Sequence, residues 1–346
     1  MGIFNKNKSD NMAEETFSDL GRQEAVRRLF EGTGFTQNDC CVLKTGNRTG
    51  SVVNSSVILA EGIDFDLTYF PLKHLGYKAV TRVSGELYAA LAHPCTLSVR
   101  LGVSSKTDFG KVKELWEGMV AAARRHGFRE LSLDLQPSLN GLFISVSADG
   151  ERSTLTEKRR MPAKSMDLIC VSGHLGAAFL GMQILEREKQ KFMKRKTDRS
   201  QPDLTEYRHL VGEYLKPEIN PSCVSQLEEE EIIPSFGYLV DKGLSDAVKR
   251  LVRDSGLGAK IYVDRIPFAG GTFDLAKEFG IDPVSAAFNG GDDYRLLFTI
   301  PIGSHDKFRH DFQTFDIIGH LAKPEVGAAL VTPEGVELPV TAQGWK

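Results

Sequence analysis

The stretch Phe288-Asn289-Gly290-Gly291-Asp292-Asp293-Tyr294-Arg295-Leu296-Leu297-Phe298-Thr299 sets a glycine pair, a carboxylate pair and an apolar run in direct succession. Gly290 and Gly291 let the backbone take left-handed angles and approach a ligand closely. The run Leu296-Leu297-Phe298, closed by Pro301 and Gly303, reads as a buried strand. Two acids thus stand at the mouth of a buried strand, where a binding site can form. An acidic turn with no other role fits the same residues equally well.

Around this stretch lies a chain of 346 residues, longer than one hydrophobic core usually grows, so two domains are expected. Hydrophobic content of 41% and charged content of 26% are those of a soluble globular protein. A net charge of −3 gives no electrostatic case for nucleic acid or an acidic membrane as partner. The five cysteines (Cys40, Cys41, Cys95, Cys170, Cys223) form no Cys-x-x-Cys pair and are odd in number, which fits reduced thiols. No apolar run approaches membrane-spanning length, and Met1–Lys8 lacks the apolar core of a signal peptide. Lys6 stands where a myristoylation signal wants Ser or Thr. A cytoplasmic protein with a polar, disordered segment 1–16 is expected.

Periodicity predicts helices over Asp19–Glu31, Leu75–Leu91 and Lys111–His126, and strands at Val42-Leu43, Ser51–Leu59 and Leu97–Val103. Two alternating stretches follow, Leu131/Leu133/Leu135 and Leu142/Ile144/Val146. The polar, basic segment Glu151–Lys164 marks a boundary between domains at 17–150 and 151–346, both of an α/β (α+β) class. Beyond it, Asp167–Ser172 reads as a strand turning through Gly173-His174-Leu175-Gly176 into a helix from Ala177 to about Arg187. That turn resembles a phosphate-binding strand–turn–helix but lacks both glycine-rich signatures, so a helix-packing turn is the preferred meaning. Lys189–Arg199 reads as a basic loop and Glu228–Glu231 as a solvated helix end. A strand at Phe236–Val240, a helix on Leu244, Val248, Leu251 and Val252, and a strand at Lys260–Val263 form a third unit. A helix near Phe273–Phe279 and small strands near Ile317-Ile318 and Ala329–Val331 complete the reading.

No His-x-x-x-His pair and no Gly-x-Ser-x-Gly elbow occurs. What remains is a scatter of acids at strand ends and turns: Asp39, Asp64, Asp66, Glu86, Asp134, Asp241, Asp292 and Asp293. Such acids could gather around magnesium and phosphate, or could be surface turns.

Several segments resemble thiamine-monophosphate kinases. They are Glu61–Tyr69, Lys73–Ala79, Asp167–Gly173, Leu215-Lys216-Pro217-Glu218, Val263–Pro267, the opening stretch and Ala342-Gln343-Gly344-Trp345, collinear from about Gln37 onward. The resemblance implies the two-domain fold of aminoimidazole ribonucleotide synthetase (PurM-like), with N-terminal sheets pairing into a barrel across a homodimer. It also implies ATP-dependent phosphorylation of thiamine monophosphate with magnesium ions held by aspartates. Carried over position by position, it gives Asp39, Ser55, Ser56, Glu86 and Asp134 as metal-side residues. Asp134, Arg160, Asp241 and Lys242 fall on the ATP side, and Asp64, Asp292 and Trp345 on the substrate side.

The same comparison shows departures. The family's Gly-Asp-Asp reads Gln37-Asn38-Asp39, and its Thr-Thr-Asp reads Ser55-Ser56-Val57. Its Asp-x-Ser-Asp-Gly-Leu reads Leu239-Val240-Asp241-Lys242-Gly243-Leu244, with both metal-binding acids replaced, and Asp64 replaces a histidine. Lys242, at the start of a helix, could touch phosphate in place of a metal or be an ordinary surface lysine. The leading expectation is a divergent kinase-type protein with weak or lost activity and fewer magnesium ions. Two alternatives stay open: a phosphotransferase acting on another small substrate, and a pseudoenzyme that senses a nucleotide or thiamine phosphate or pairs with an active homologue.

Overall fold

The computed structural model describes residues 20, 22–37, 50–104, 107–194 and 202–341. The expected strand at Val42-Leu43, and Asp39 and Trp345 among the candidate residues, lie outside them. A short helix α1 (Arg22–Phe30) precedes a four-stranded sheet of β1 (Val52–Ala60), β2 (Ala92–Val103), β3 (Glu130–Pro137) and β4 (Phe143–Arg152), ordered β1-β4-β2-β3. Two long helices, α2 (Leu72–Ala89) and α3 (Phe109–Arg125), connect its strands. After the short α4 (Thr154–Arg159) the chain builds a seven-stranded sheet from β5 (Leu168–Ser172), β6 (Phe236–Val240), β7 (Gly258–Tyr262), β8 (Arg295–Ile300), β9 (Phe315–Ala322), β10 (Ala328–Val331) and β11 (Glu337–Pro339). The order β11-β10-β7-β9-β5-β8-β6 is antiparallel except where β10 runs parallel to β7. Its helices are α5 (Ala177–Lys194), α6 (Arg208–Leu215), α7 (Cys223–Glu229), α8 (Leu244–Ser255), α9 (Thr272–Phe279), α10 (Pro283–Asn289) and α11 (His305–Asp311).

Helix α2 organises the molecule. It covers one face of the first sheet and also touches β6 and β8 of the second, so few of its positions are polar surface. Leu75, Ala79, Val80, Val83 and Leu87 are all buried, and the hydroxyls of Thr81 and Ser84 bond back to Tyr77 O (3.0 Å) and Val80 O (2.8 Å). The crossing of α2 with α3 is a backbone-to-backbone contact. A Cβ on Gly76 would stand 2.0 Å from Leu115 O, and one on Gly118 would stand 1.9 Å from Lys73 O. On the other side, a Cβ on Gly85 would press into Ile219 and Leu239, and one on Gly237 would lie 2.1 Å from Ala89 O. Only glycine lets these elements approach so closely.

Two sequence expectations are corrected here. The basic segment from Lys189 is not a loop at its start: α5 continues to Lys194. Its solvent face is held by the short-range pairs Lys191–Glu188 (2.7 Å) and Lys189–Glu186 (3.5 Å), which favour helix without any apolar period. Glu228 is not a solvated helix end, because its carboxylate accepts from Ser153 and Thr156 (2.8 Å for the latter) and meets His93 (2.9 Å).

Candidate functional site

Strands β6 and β8 are neighbours, so the loops at their tips lie side by side. The Asp292 amide donates to Asp241 O (2.8 Å) and the Tyr294 amide to Val240 O (2.9 Å). Asp292 and Tyr294 take φ of 62° and 50°, left-handed values for non-glycine residues, and such strain collects at ligand-facing turns. Gly243 (φ 89°) closes the turn, where a Cβ would meet Phe288 O at 2.3 Å. Together these constraints aim Asp241 and Asp292 at α2.

The surface they face is cationic. Lys78, 3% exposed, lies 3.2 Å from Asp292, donates to Tyr214 O (2.9 Å) and sits 3.9 Å from the centre of the Tyr214 ring. Burial holds its ammonium below the usual lysine value, and Asp292 pulls the other way. One turn on, Arg82 donates through Nη2 to Asp241 (3.0 Å), and Arg250 of α8 approaches the same carboxylate at 3.7 Å. Burial disfavours the Arg82 charge, but Tyr294, Asp241, Asp292 and Asp64 outweigh it and raise its pKa. Asp64, held by the Ala60 amide (2.8 Å), faces the same cluster. The phenol of Tyr294 is fully buried, its ring 5.6 Å from the Lys78 ammonium. Burial, then Asp292, raises its pKa well above the usual value.

The candidate residues therefore divide. Asp64, Asp241 and Asp292 converge on Lys78 and Arg82. Lys242, beside them in sequence, is exposed. Ser55 and Ser56 point to opposite faces of β1, as successive strand residues must. Ser55 is buried and donates to Glu86 of α2 (3.2 Å), whereas Ser56 is exposed on the other face. Asp134 shares that other face, through the register Ile58–Ser145–Arg100–Asp134, but lies on the far edge strand. Three strand spacings, roughly 14 Å, separate the two edges. Arg160 bonds Ser235 O (2.9 Å) at the opposite end of β6 from Asp241, roughly 20 Å away at the usual rise per residue. Among the described residues no group of three or more His, Cys, Asp or Glu could hold a metal ion. The magnesium set implied by the family is thus not assembled here by the described residues.

Sequence reasoning missed Lys78 and Arg82. A usable signal was present: two cations four residues apart, inside a stretch whose neighbours are apolar, must be buried together and need acids.

Asp293 does other work. It is buried, and its two oxygens accept from the amides of Gly176 (2.8 Å) and Ala178 (3.2 Å), capping α5 from a distant loop. Burial pushes its pKa up to about 7, against the pull of those two amides. With a folded value above the unfolded one, Asp293 stabilises the fold fully below about pH 4. That contribution is lost as pH rises through about 7. The urea-unfolding free energy of wild type relative to Asp293→Asn is expected to shrink between about pH 4 and 7 and to level off above that, and a constant difference would contradict this.

Arg295 lines a cavity of about 1030 Å³ together with His74, Arg208, His209 and Lys216. It pairs with Glu213 and donates to His174 O (3.2 Å) and Glu218 O (3.3 Å), fixing α6 and the turn after it to β8.

No protein-family model matches the chain. The thiamine-monophosphate kinase of Pyrococcus horikoshii is 26% identical over 278 residues, covering 78% of each chain. A structure of AaThiL complexed with AMPPCP and TMP superposes with TM-score 0.68 at 21% identity, covering 84% of this chain and 85% of that one. The hydrogenase maturation protein HypE of E. coli gives TM-score 0.68 at 16% identity, covering 93% and 97%. The two structural likenesses are of fold. No helix among the described residues is long and apolar enough to cross a membrane.

Proposed function

We propose that this divergent relative of the thiamine-monophosphate kinases binds a nucleotide or thiamine phosphate in the cleft between α2 and the tips of β6 and β8, and phosphorylates thiamine monophosphate weakly or not at all. One observation carries the reading: the acids of the cleft are neutralised by the chain's own cations, Asp292 by Lys78 (3.2 Å) and Asp241 by Arg82 (3.0 Å). Phosphoryl transfer depends on positive charge placed against the transferring oxygens. Here two of the cations that could supply it are engaged with carboxylates, and magnesium finds no assembled ligand set among the described residues. The relatives' names and the complexed structure support ATP and thiamine monophosphate as the ligand classes to try.

The proposal includes a cytoplasmic homodimer, with an N-terminal domain over 17–150 and a C-terminal one over 151–346. Asp39 and Trp345 would complete the metal and substrate sides. A second reading, phosphoryl transfer to a different small substrate, is favoured by Asp64, whose carboxylate adds a negative charge to the cluster.

Calorimetric titration of the full chain with a non-hydrolysable ATP analogue, with and without thiamine monophosphate, tests the binding half. A coupled assay with ATP, magnesium and thiamine monophosphate tests the other. Binding is expected, with turnover about 1,000-fold or more below an ordinary kinase value of roughly 1–100 per second. Turnover in the ordinary range would overturn the proposal, as would the absence of any ligand binding.

A further inference from the structure

At one end of the first sheet, between the close of β2 and the first turns of α3, lies a recess of about 250 Å³. None of Lys78, Arg82, Asp241 or Asp292 lines it. Leu67, Leu72, Val103 and Leu142 make it apolar, and Val103 and Leu142 are themselves buried. Protein interiors leave few voids larger than a water molecule, and an apolar cavity of about 150 Å³ already takes benzene. A recess of this lining and size therefore suits a small branched or cyclic hydrocarbon body.

The polar groups of the lining select what that body carries. Glu61 is already committed: its Oε2 accepts from the Leu142 amide (2.8 Å), and its own amide donates to Leu142 O (3.1 Å). Gly141 (φ 86°) permits this, since a Cβ there would stand 2.6 Å from that oxygen. Lys111 is exposed and makes no ion pair or hydrogen bond among the described residues, and the Thr107 hydroxyl makes none either. An ammonium and a hydroxyl can both donate, so the polar end they fit is an acceptor, and beside an ammonium a carboxylate is favoured.

We infer that this recess binds a small apolar monocarboxylate, its hydrocarbon body on Leu67, Leu72, Val103 and Leu142 and its carboxylate at Lys111. The site is coupled to the Asp64 side of the cleft through one short segment. Glu61 and Leu67 line the recess, while Asp64, midway between them, faces Lys78 and Arg82. The chain there is a tight turn, with the amides of Gly62, Ile63 and Asp64 donating to Phe65 O (2.8 Å), Ala60 O (3.2 Å) and Ala60 O (2.9 Å). An occupant packed against both ends of the segment holds that turn closed.

The test is calorimetric titration of the full chain with 4-methylpentanoate, 4-methylpentanamide and acetate, for wild type, Lys111→Met and Leu67→Trp, joined to hydrogen exchange of the amides at 62–64. Wild type is expected to bind 4-methylpentanoate saturably at millimolar concentration or below. The neutral amide is expected to bind about fivefold more weakly, and Lys111→Met to weaken the acid by the same factor. Acetate, without the hydrocarbon body, is expected to bind at least about 30-fold more weakly. Leu67→Trp fills the recess from an exposed position and is expected to abolish binding. With 4-methylpentanoate at about ten times its dissociation constant, exchange at 62–64 is expected to slow about tenfold, because opening must first release the ligand. Absence of saturable binding, equal affinity for acetate, or binding untouched by Lys111→Met overturns the site. Binding with unchanged exchange overturns its coupling to Asp64.

Discussion

Asp241→Asn is expected to lower the unfolding free energy by about 2–3 kcal/mol, and Asp292→Asn by only about 1 kcal/mol, although each breaks one buried ion pair. The difference lies in the partners. Arg82 cannot shed its proton, so without the Asp241 carboxylate it remains a charge with 16% of its side chain exposed. Arg250, at 3.7 Å, loses the same partner. Lys78 is held by burial below its ordinary value, so losing Asp292 drives it toward the neutral amine, which still donates to Tyr214 O. The retained amide oxygen of Asn keeps both costs below those of a full deletion. Urea unfolding of both variants at pH 7 is the measurement. A larger loss for Asp292→Asn would show that Lys78, not Arg82, is the charge the fold most needs to balance.

Gly118→Ala is expected to cost about 2–3 kcal/mol, even though alanine is the better helix former by roughly 1 kcal/mol. The added methyl would meet Lys73 O at 1.9 Å, a backbone atom with no rotamer to move, so α2 and α3 must separate. Gly212→Ala is the control. That glycine lies inside α6 with nothing within 4 Å of where its methyl would stand, so the propensity term acts alone and should stabilise by about 0.5–1 kcal/mol. Because α2 carries Lys78 and Arg82 of the proposed ligand site, Gly118→Ala should also weaken binding of the ATP analogue, as small misplacements of binding groups do. Equal stability of the two variants would remove the close crossing as a determinant of the fold.

Much of the fold is legible in the sequence because burial imposes a period. Phe236–Val240 reads with the bounds it has in the structure, and α2, α3 and β5 read within three residues at each end. The helices α6, α10 and α11 escape such a reading, being short, with few buried positions to set a pattern. In the site, the acids Asp64, Asp241 and Asp292 are visible because charged residues at turns stand out from the apolar strands beside them. Lys78 and Arg82 are hidden by their helix, whose apolar face suggests core and whose polar residues suggest solvent. Ser55 and Ser56 fail as a pair for a simpler reason: adjacency in a strand places them on opposite faces.

The double contact of α2 has a consequence for motion. Many ligand-binding proteins close by rotating two lobes about a hinge between them. Here α3, through Gly76 and Gly118, and the second sheet, through Gly85 and Gly237, are each packed against one continuous helix at distances only glycine permits. A rotation that opened the cleft would have to break one of those contacts. Ligand should therefore enter a site already in its bound shape, and amides in the middle of α2 should exchange with solvent only when the whole molecule unfolds.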